Sequence, residues 1–251
     1  MVKHLKLNEM KKYFALVVIL FTLFSCSKDE DESITVDSTD VEMFSKDTHQ
    51  ISTNQGNPVY TSENEYIAKV SISGLITANH IGNTAIDING KKMVNVKVNA
   101  KYSIYEPLHD FSLTKNQIKD KLGSAYAEQD TALLYKDPIS TVSGEIYFFN
   151  KNTGKLNGAG IIYPTRYFES YGYGLLERYQ ALTYDEKNYS LYFIDALELN
   201  NAKMVVVCNL YNLTYCINLY MLKPSSSTKA MMKKNLERML SEHNFHYPSN
   251  K

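Results

Sequence analysis

Between residues 34 and 98 the chain alternates apolar and polar residues in short runs, and a turn former ends each run. Tyr66-Ile67-Ala68-Lys69-Val70-Ser71-Ile72, Thr84-Ala85-Ile86-Asp87-Ile88 and Met93-Val94-Asn95-Val96-Lys97-Val98 keep this rhythm. A period of two sends alternate side chains to one face, which suits half-buried strands and excludes an amphipathic helix. Ile34-Thr35-Val36 and Val41-Glu42-Met43-Phe44 add two short runs at the start. Gly56-Asn57-Pro58, Ser73-Gly74, Gly82-Asn83 and Asn89-Gly90 separate them, as tight turns require. Several strands this short need a second sheet to bury their apolar face. Residues 34–99 are therefore expected to form a small all-β sandwich, with Ala68 and Val70 pointing inward.

The same stretch carries a family resemblance. Tyr60-Thr61-Ser62-Glu63-Asn64-Glu65-Tyr66-Ile67-Ala68-Lys69-Val70-Ser71-Ile72-Ser73-Gly74-Leu75-Ile76-Thr77-Ala78, then Ile81-Gly82-Asn83-Thr84-Ala85-Ile86, resembles the bacterial immunoglobulin-like domain, group 2. Tyr60 stands where that family often has tryptophan. The resemblance implies an immunoglobulin-like sandwich of a kind found in surface adhesins, serving either as a spacer or as a binder.

The N-terminus bears on location. Lys3, Lys6, Lys11 and Lys12 precede an apolar run of 12 residues, Tyr13 to Phe24. That run is shorter than the ~20 residues a spanning helix needs and suits the core of a signal peptide. It ends in Leu23-Phe24-Ser25-Cys26, which resembles a bacterial lipobox. The resemblance implies cleavage after residue 25 and diacylation of Cys26. Ser27-Lys28-Asp29-Glu30-Asp31-Glu32 then looks like an acidic export tag, so residues 26–33 are expected to be a lipidated tether. The run also reads as a solvated tether extended by like charges. The expectation is an outer-membrane lipoprotein exposed at the cell surface. Removing residues 1–25 takes four Lys and one Glu from 27 basic and 27 acidic residues, leaving 23 and 26. A slightly acidic chain offers no electrostatic basis for nucleic-acid binding.

From about residue 100 the pattern changes. Leu113 to Gly123 reads as a helix with a capping box, Thr114 and Gln117, and a glycine stop at Gly123. Strand-like runs follow at 131–135, 144–150 and 158–163. A second helix, 167–180, and runs at 189–196, 203–209 and 214–222 repeat that order. Residues 100–251 are thus expected to be an α+β domain built by tandem α-β-β-β duplication, a six-stranded antiparallel sheet with helices on one face. The first unit's Leu-Thr-x-x-Gln-Ile also resembles tandem-repeat lipoproteins of outer-membrane assembly, a likeness of fold that carries no function. A last helix, 227–242, presents Met231, Met232, Leu236, Met239 and Leu240 as an apolar stripe.

No nucleophile elbow, zinc-binding His-Glu-x-x-His or phosphate loop occurs. His243 and His246 lack a third ligand, so no metal and no cofactor is expected. Asp185, Glu186, Asp195 and Glu198 are read as surface charge in preference to a hydrolytic carboxylate pair. Cys208 and Cys216 flank a hairpin centred near Asn212, where equal offsets place them opposite one another. They are candidates for a disulfide in an oxidising compartment, or for two buried thiols. Ten aromatic residues lie between Tyr163 and Phe193, among 20 tyrosines in a chain without tryptophan. Gly172 and Gly174 suggest a loop or frayed helix start, making Tyr171 and Tyr173 the candidate ligand-binding pair. Together these features predict a non-catalytic, surface-anchored protein for adhesion or recognition of an extracellular protein partner, with the first domain as spacer. The alternative is a glycan-binding accessory lipoprotein of a polysaccharide-uptake system.

Overall fold

In the computed structural model residues 33–186, 189–210 and 213–223 are described. The signal peptide, Cys26 with its acidic tether up to residue 32, and the expected helix 227–242 lie outside the described residues.

The period-two runs become strands where the turn formers allow. The first seven are β1 (Asp40–Phe44), β2 (Thr48–Gln50), β3 (Tyr60–Ser62), β4 (Ala68–Val70), β5 (Leu75–Ala78), β6 (Gly82–Ile88) and β7 (Lys91–Asn99). They make two sandwich-like sheets, ordered β1-β7-β6-β3 and β2-β5-β4. All pairings are antiparallel except β1 with β7, which are parallel and pair Val41 with Val96 and Met43 with Val98. Val41, Met43, Ala68, Ile76, Ala78, Ile86, Ile88, Val94, Val96 and Val98 are buried, while Val70 is only half-buried. Gly74, at φ +80°, turns the chain where a Cβ would stand 2.8 Å from the Ile51 carbonyl and 2.9 Å from the Tyr60 ring. Only glycine serves there.

The rest of the described chain is one antiparallel sheet with two helices. Helix α1 (Lys115–Leu122) precedes β8 (Ala127–Gln129), β9 (Ala132–Ile139), β10 (Val142–Phe149) and β11 (Leu156–Pro164). Helix α2 (Phe168–Arg178) precedes β12 (Gln180–Asp185), β13 (Ser190–Ile194), β14 (Met204–Leu210) and β15 (Tyr215–Leu222). Thr114 and Gln117 do form the capping box of α1, and Gly123 (φ +83°) ends it. The sheet order is β12-β13-β14-β15-β11-β10-β9-β8, so the last strand of each half pairs at the centre. Gly158 faces Met221 and Pro164 faces Tyr215 across that seam. The sheet therefore has eight strands, not the expected six. The additional strands are its two edges: β8 is wholly exposed, and β12 begins two residues after α2 ends. An exposed edge strand needs no apolar alternation, so periodicity does not reveal it.

Both helices lie over one face. Ile118 of α1 packs with Leu133, Tyr147 and Ala159. Leu175 of α2 packs with Phe193, Val206 and Tyr220, and Tyr171 packs with Ile161 and Tyr163. The segment carrying Ile104, Tyr105, Leu108 and Phe111 fills the same layer.

The described residues from Val36 onward belong to one compact unit. The sandwich-like sheets join the large sheet through the end of α2. The Ile81 N–H donates to the Glu177 carbonyl at 2.8 Å, and the Tyr66 hydroxyl donates to the Arg178 carbonyl at 2.7 Å. The buried Glu177 carboxylate accepts the N–H groups of Lys101 and Tyr102, both at 2.9 Å. His80 stacks on Tyr66 with centroids 4.2 Å apart, and burial lowers its pKa.

Candidate binding site

Tyrosines are distributed between the helix-covered core and the edge of the sheet, and that partition decides which of them can meet a ligand. Helix α2 runs unbroken through both glycines, although glycine disfavours a helix interior. A Cβ at Gly174 would collide with Ile104 Cγ2, so this glycine admits the crossing segment, whereas Gly172 faces open space. In a continuous helix, residues two apart point about 200° from each other. Tyr171 is accordingly 3% exposed and stacked on Tyr163 (4.1 Å), while Tyr173 is 45% exposed and stacked on Tyr102 (5.1 Å). The expected ligand-binding pair is corrected on this point: Tyr171 is a core residue and only Tyr173 is accessible.

The cysteine pairing is also corrected. Strands β14 and β15 pair Leu210 with Cys216 and Cys208 with Asn218, which centres the hairpin at Leu213. The two-residue shift keeps both thiols on the helix-covered face but no longer opposite each other. Both are free and buried. Burial raises the Cys208 thiol to about 12 and the Cys216 thiol to about 11. Such thiols stay protonated and unreactive. Cys208 Sγ lies 3.4 Å from the Tyr163 hydroxyl, which donates to Asn218 Oδ1 at 2.9 Å.

Two carboxylates are embedded in tyrosines under the helices. Glu145, on β10, accepts from the hydroxyls of Tyr147 and Tyr105, the latter at 2.9 Å. Burial raises its pKa above the ordinary carboxylate value, and the two hydroxyls partly offset this. Glu106 accepts from the Tyr179 hydroxyl at 2.7 Å and from Arg178 Nε at 3.1 Å. Both clusters tie the crossing segment to the sheet. Asp195 is likewise structural: its Oδ1 takes the N–H groups of Lys203 and Met204 at 2.8 and 2.9 Å. Among the described residues no cluster of three metal-ligating side chains occurs.

The accessible aromatic site lies at the β12 edge. Thr165, Phe168, Tyr184, Tyr189, Leu191 and Leu210 line an apolar groove of about 460 Å³. That volume falls within the range of small ligand sites. Register builds the groove: β12 pairs Tyr184 with Leu191, and Leu191 pairs with Cys208 on β14. The Leu210 N–H donates to the Tyr189 carbonyl at 3.2 Å, and the Thr165 N–H to the Thr214 carbonyl at 2.9 Å. Tyr184 and Tyr189 are 49% and 60% exposed. Tyr189 holds φ +49°, a left-handed conformation that costs a bulky residue about 1–2 kcal/mol. Lys46, Asn89 and Asp137, away from the groove, share this region, and Tyr189 takes it in the connection between β12 and β13. The aromatic-rich stretch named both tyrosines among ten, but singling them out required the β12–β13 register, and β12 left no periodic signal.

No family model matches the chain, and no curated protein matches it.

Proposed function

We propose that this chain is a non-catalytic lipoprotein of the outer membrane, lipidated at Cys26 and exposed at the cell surface, that recognises an extracellular protein. The groove formed by Phe168, Tyr184, Tyr189, Leu191 and Leu210 carries the reading. Its lining offers two exposed phenol rings over an aliphatic floor. Rigid aromatic side chains give large contact area at low entropic cost, and such residues dominate protein–protein binding energy. Among the described residues of the lining, Thr165 is the only polar side chain apart from the phenol hydroxyls. A sugar brings several hydroxyls that need partners when they lose water, whereas an apolar side chain of a protein does not. A protrusion carrying an aromatic or aliphatic residue is the occupant that this chemistry suits.

In this reading residues 34–99 are a bacterial immunoglobulin-like domain of group 2, serving as a buttressed spacer. The sandwich-like sheets and the Gly74 turn agree with it. Residues 100–223 belong to an α+β domain that arose by tandem duplication. The repeated order of a helix and four strands, with final strands β11 and β15 paired at the centre, supports that origin.

The glycan-capture alternative rests on Tyr184 and Tyr189 alone, since exposed rings also stack on sugar faces. A binding screen of the purified protein against extracellular-matrix proteins and a glycan array separates the two. Protein binding that falls at least about tenfold in Tyr184→Ala/Tyr189→Ala supports the reading, as loss of two hot-spot side chains of about 1 kcal/mol or more would give. Binding confined to glycans favours the alternative. Turnover of a substrate in a parallel hydrolase assay, abolished by one carboxylate or serine substitution, overturns both.

A further inference from the structure

The groove at the β12 edge is apolar inside, and the residues next to its lining are acidic. Phe168, Leu191 and Leu210 supply hydrocarbon, and the exposed rings of Tyr184 and Tyr189 flank them. Glu186 is exposed in the connection that joins those two tyrosines. Glu169 is exposed in the first turn of α2, directly after Phe168. It stands four residues beyond Thr165, whose 3-10 turn runs straight into α2, and that spacing sets two side chains on one side of a helix. Among the described residues no side chain pairs with either carboxylate. Arg166, the cation of the same turn, is turned elsewhere: its guanidinium lies over the Tyr167 ring, 4.9 Å from the centroid.

Charge complementarity narrows what such a groove accepts. An apolar floor between two phenol rings, with carboxylates beside it, matches a side chain that is hydrocarbon along its stem and cationic at its end. Phenol faces carry negative charge at their centres, so they attract a cation as the carboxylates do. Lysine and arginine both have this form, burying the stem while the head stays at the surface. Arginine fits better. Its guanidinium is planar, stacks on aromatic rings and is weakly hydrated, whereas an ammonium must shed a tighter water shell. A plain aliphatic or aromatic residue would fill the lining and leave both carboxylates unused. An acidic residue would be repelled.

We propose that the groove seats an arginine side chain of the extracellular protein, its stem on Phe168, Leu191 and Leu210 and its guanidinium among Tyr184, Tyr189, Glu169 and Glu186. This rests on the groove being the recognition site and adds which residue it takes, so the partner surface is basic. Peptides with a single arginine, lysine, citrulline or norleucine between glycines, coupled at equal density to one carrier protein, are presented to the full-length protein, and binding is measured by interferometry. The arginine carrier should bind most tightly. Citrulline keeps the length and shape without the charge, and should bind at least about fivefold more weakly. Binding of the arginine carrier should fall by at least about fivefold in Glu169→Gln/Glu186→Gln and in Tyr184→Ala/Tyr189→Ala. It should hold in Asp120→Asn/Asp130→Asn, which removes as much charge from exposed positions, Asp130 lying at the opposite edge of the sheet. Norleucine or lysine bound as tightly as arginine would overturn the proposal and leave the groove as a site for another residue of a protein. Equal losses in the two carboxylate variants, undiminished binding by the tyrosine variant, or no binding of the arginine carrier would overturn it as well. An arginine carrier bound as expected, while no extracellular protein binds in the screen, would support the proposal and count against the recognition reading alone.

Discussion

Removing the Glu177 carboxylate should loosen the junction between the sandwich-like sheets and the large sheet. Glu177 is 6% exposed, and its side chain accepts the backbone N–H groups of Lys101 and Tyr102. These two residues begin the segment that crosses under the helices. Its own backbone carbonyl holds Ile81 and survives any side-chain substitution. Each N–H bonded to a charged acceptor is worth about 1.5–3 kcal/mol, and Glu177 accepts two. Glu177→Ala should therefore destabilise the protein by ~3–5 kcal/mol, a large part of the ~5–15 kcal/mol that holds a typical domain folded. At ~2–4 °C per kcal/mol the melting temperature should fall by ~6–20 °C. Glu177→Gln keeps one acceptor oxygen and turns an amide N–H₂ toward the other donor, so its loss should be about half as large. Tyr66→Phe, which removes the hydroxyl on the Arg178 carbonyl, should lose about 1 kcal/mol. Chemical denaturation monitored by circular dichroism measures all three. A Glu177→Ala protein within ~0.5 kcal/mol of the parent would refute the role assigned to this side chain.

Other side chains give sharper contrasts. Burial raises the pKa of Glu145, so its ionisation in the folded state is opposed. The native protein then binds more protons than the unfolded chain above the ordinary carboxylate value, and stability should decline as pH rises from about 4.5 toward the raised value. Glu145→Gln should flatten that decline in melts run across the interval, and an unchanged slope would contradict it. Tyr171→Ala should lose ~3–5 kcal/mol, as a buried aromatic does, whereas the exposed Tyr173→Ala should stay within ~1 kcal/mol. Similar thermal shifts for the two would argue against their opposite placement on α2. Alkylation of the unfolded, unreduced protein should label Cys208 and Cys216 as thiols. A two-proton mass deficit on their peptides would show a disulfide instead.

Legibility in the sequence followed the physical origin of each signal. The strands β1, β4, β6 and β7 announce themselves because one face is buried, and burial writes a period of two into the residues. Capping at Thr114 and Gln117 is equally local, depending on a spacing of three and nothing else. β8 and β12 left no such trace, since an edge strand pairs through its backbone and its side chains can stay polar. The Cys208–Cys216 register failed for a related reason. A hairpin's centre depends on turn geometry, and moving it by one residue shifts every partner by two. Tyr171 is misplaced by the sequence because flanking glycines suggest a break, whereas Tyr173 is exposed as expected. Gly174 is instead there to let Ile104 pass, a contact between segments 70 residues apart that no local pattern encodes. The groove suffers twice over, requiring both the hidden strand and its register.

Recognition at the cell surface through the β12-edge groove is the central claim, and adhesion of intact cells tests it most directly. Cells displaying the full-length protein, Cys26→Ala, or Tyr184→Ala/Tyr189→Ala are compared on immobilised extracellular-matrix proteins, with surface display quantified by antibody. The parent should retain cells on at least one protein coat. Cys26→Ala should lose surface display and adhesion together, and the tyrosine variant should keep display while losing at least about nine-tenths of its adhesion. Undiminished adhesion by the tyrosine variant at equal display would contradict the account.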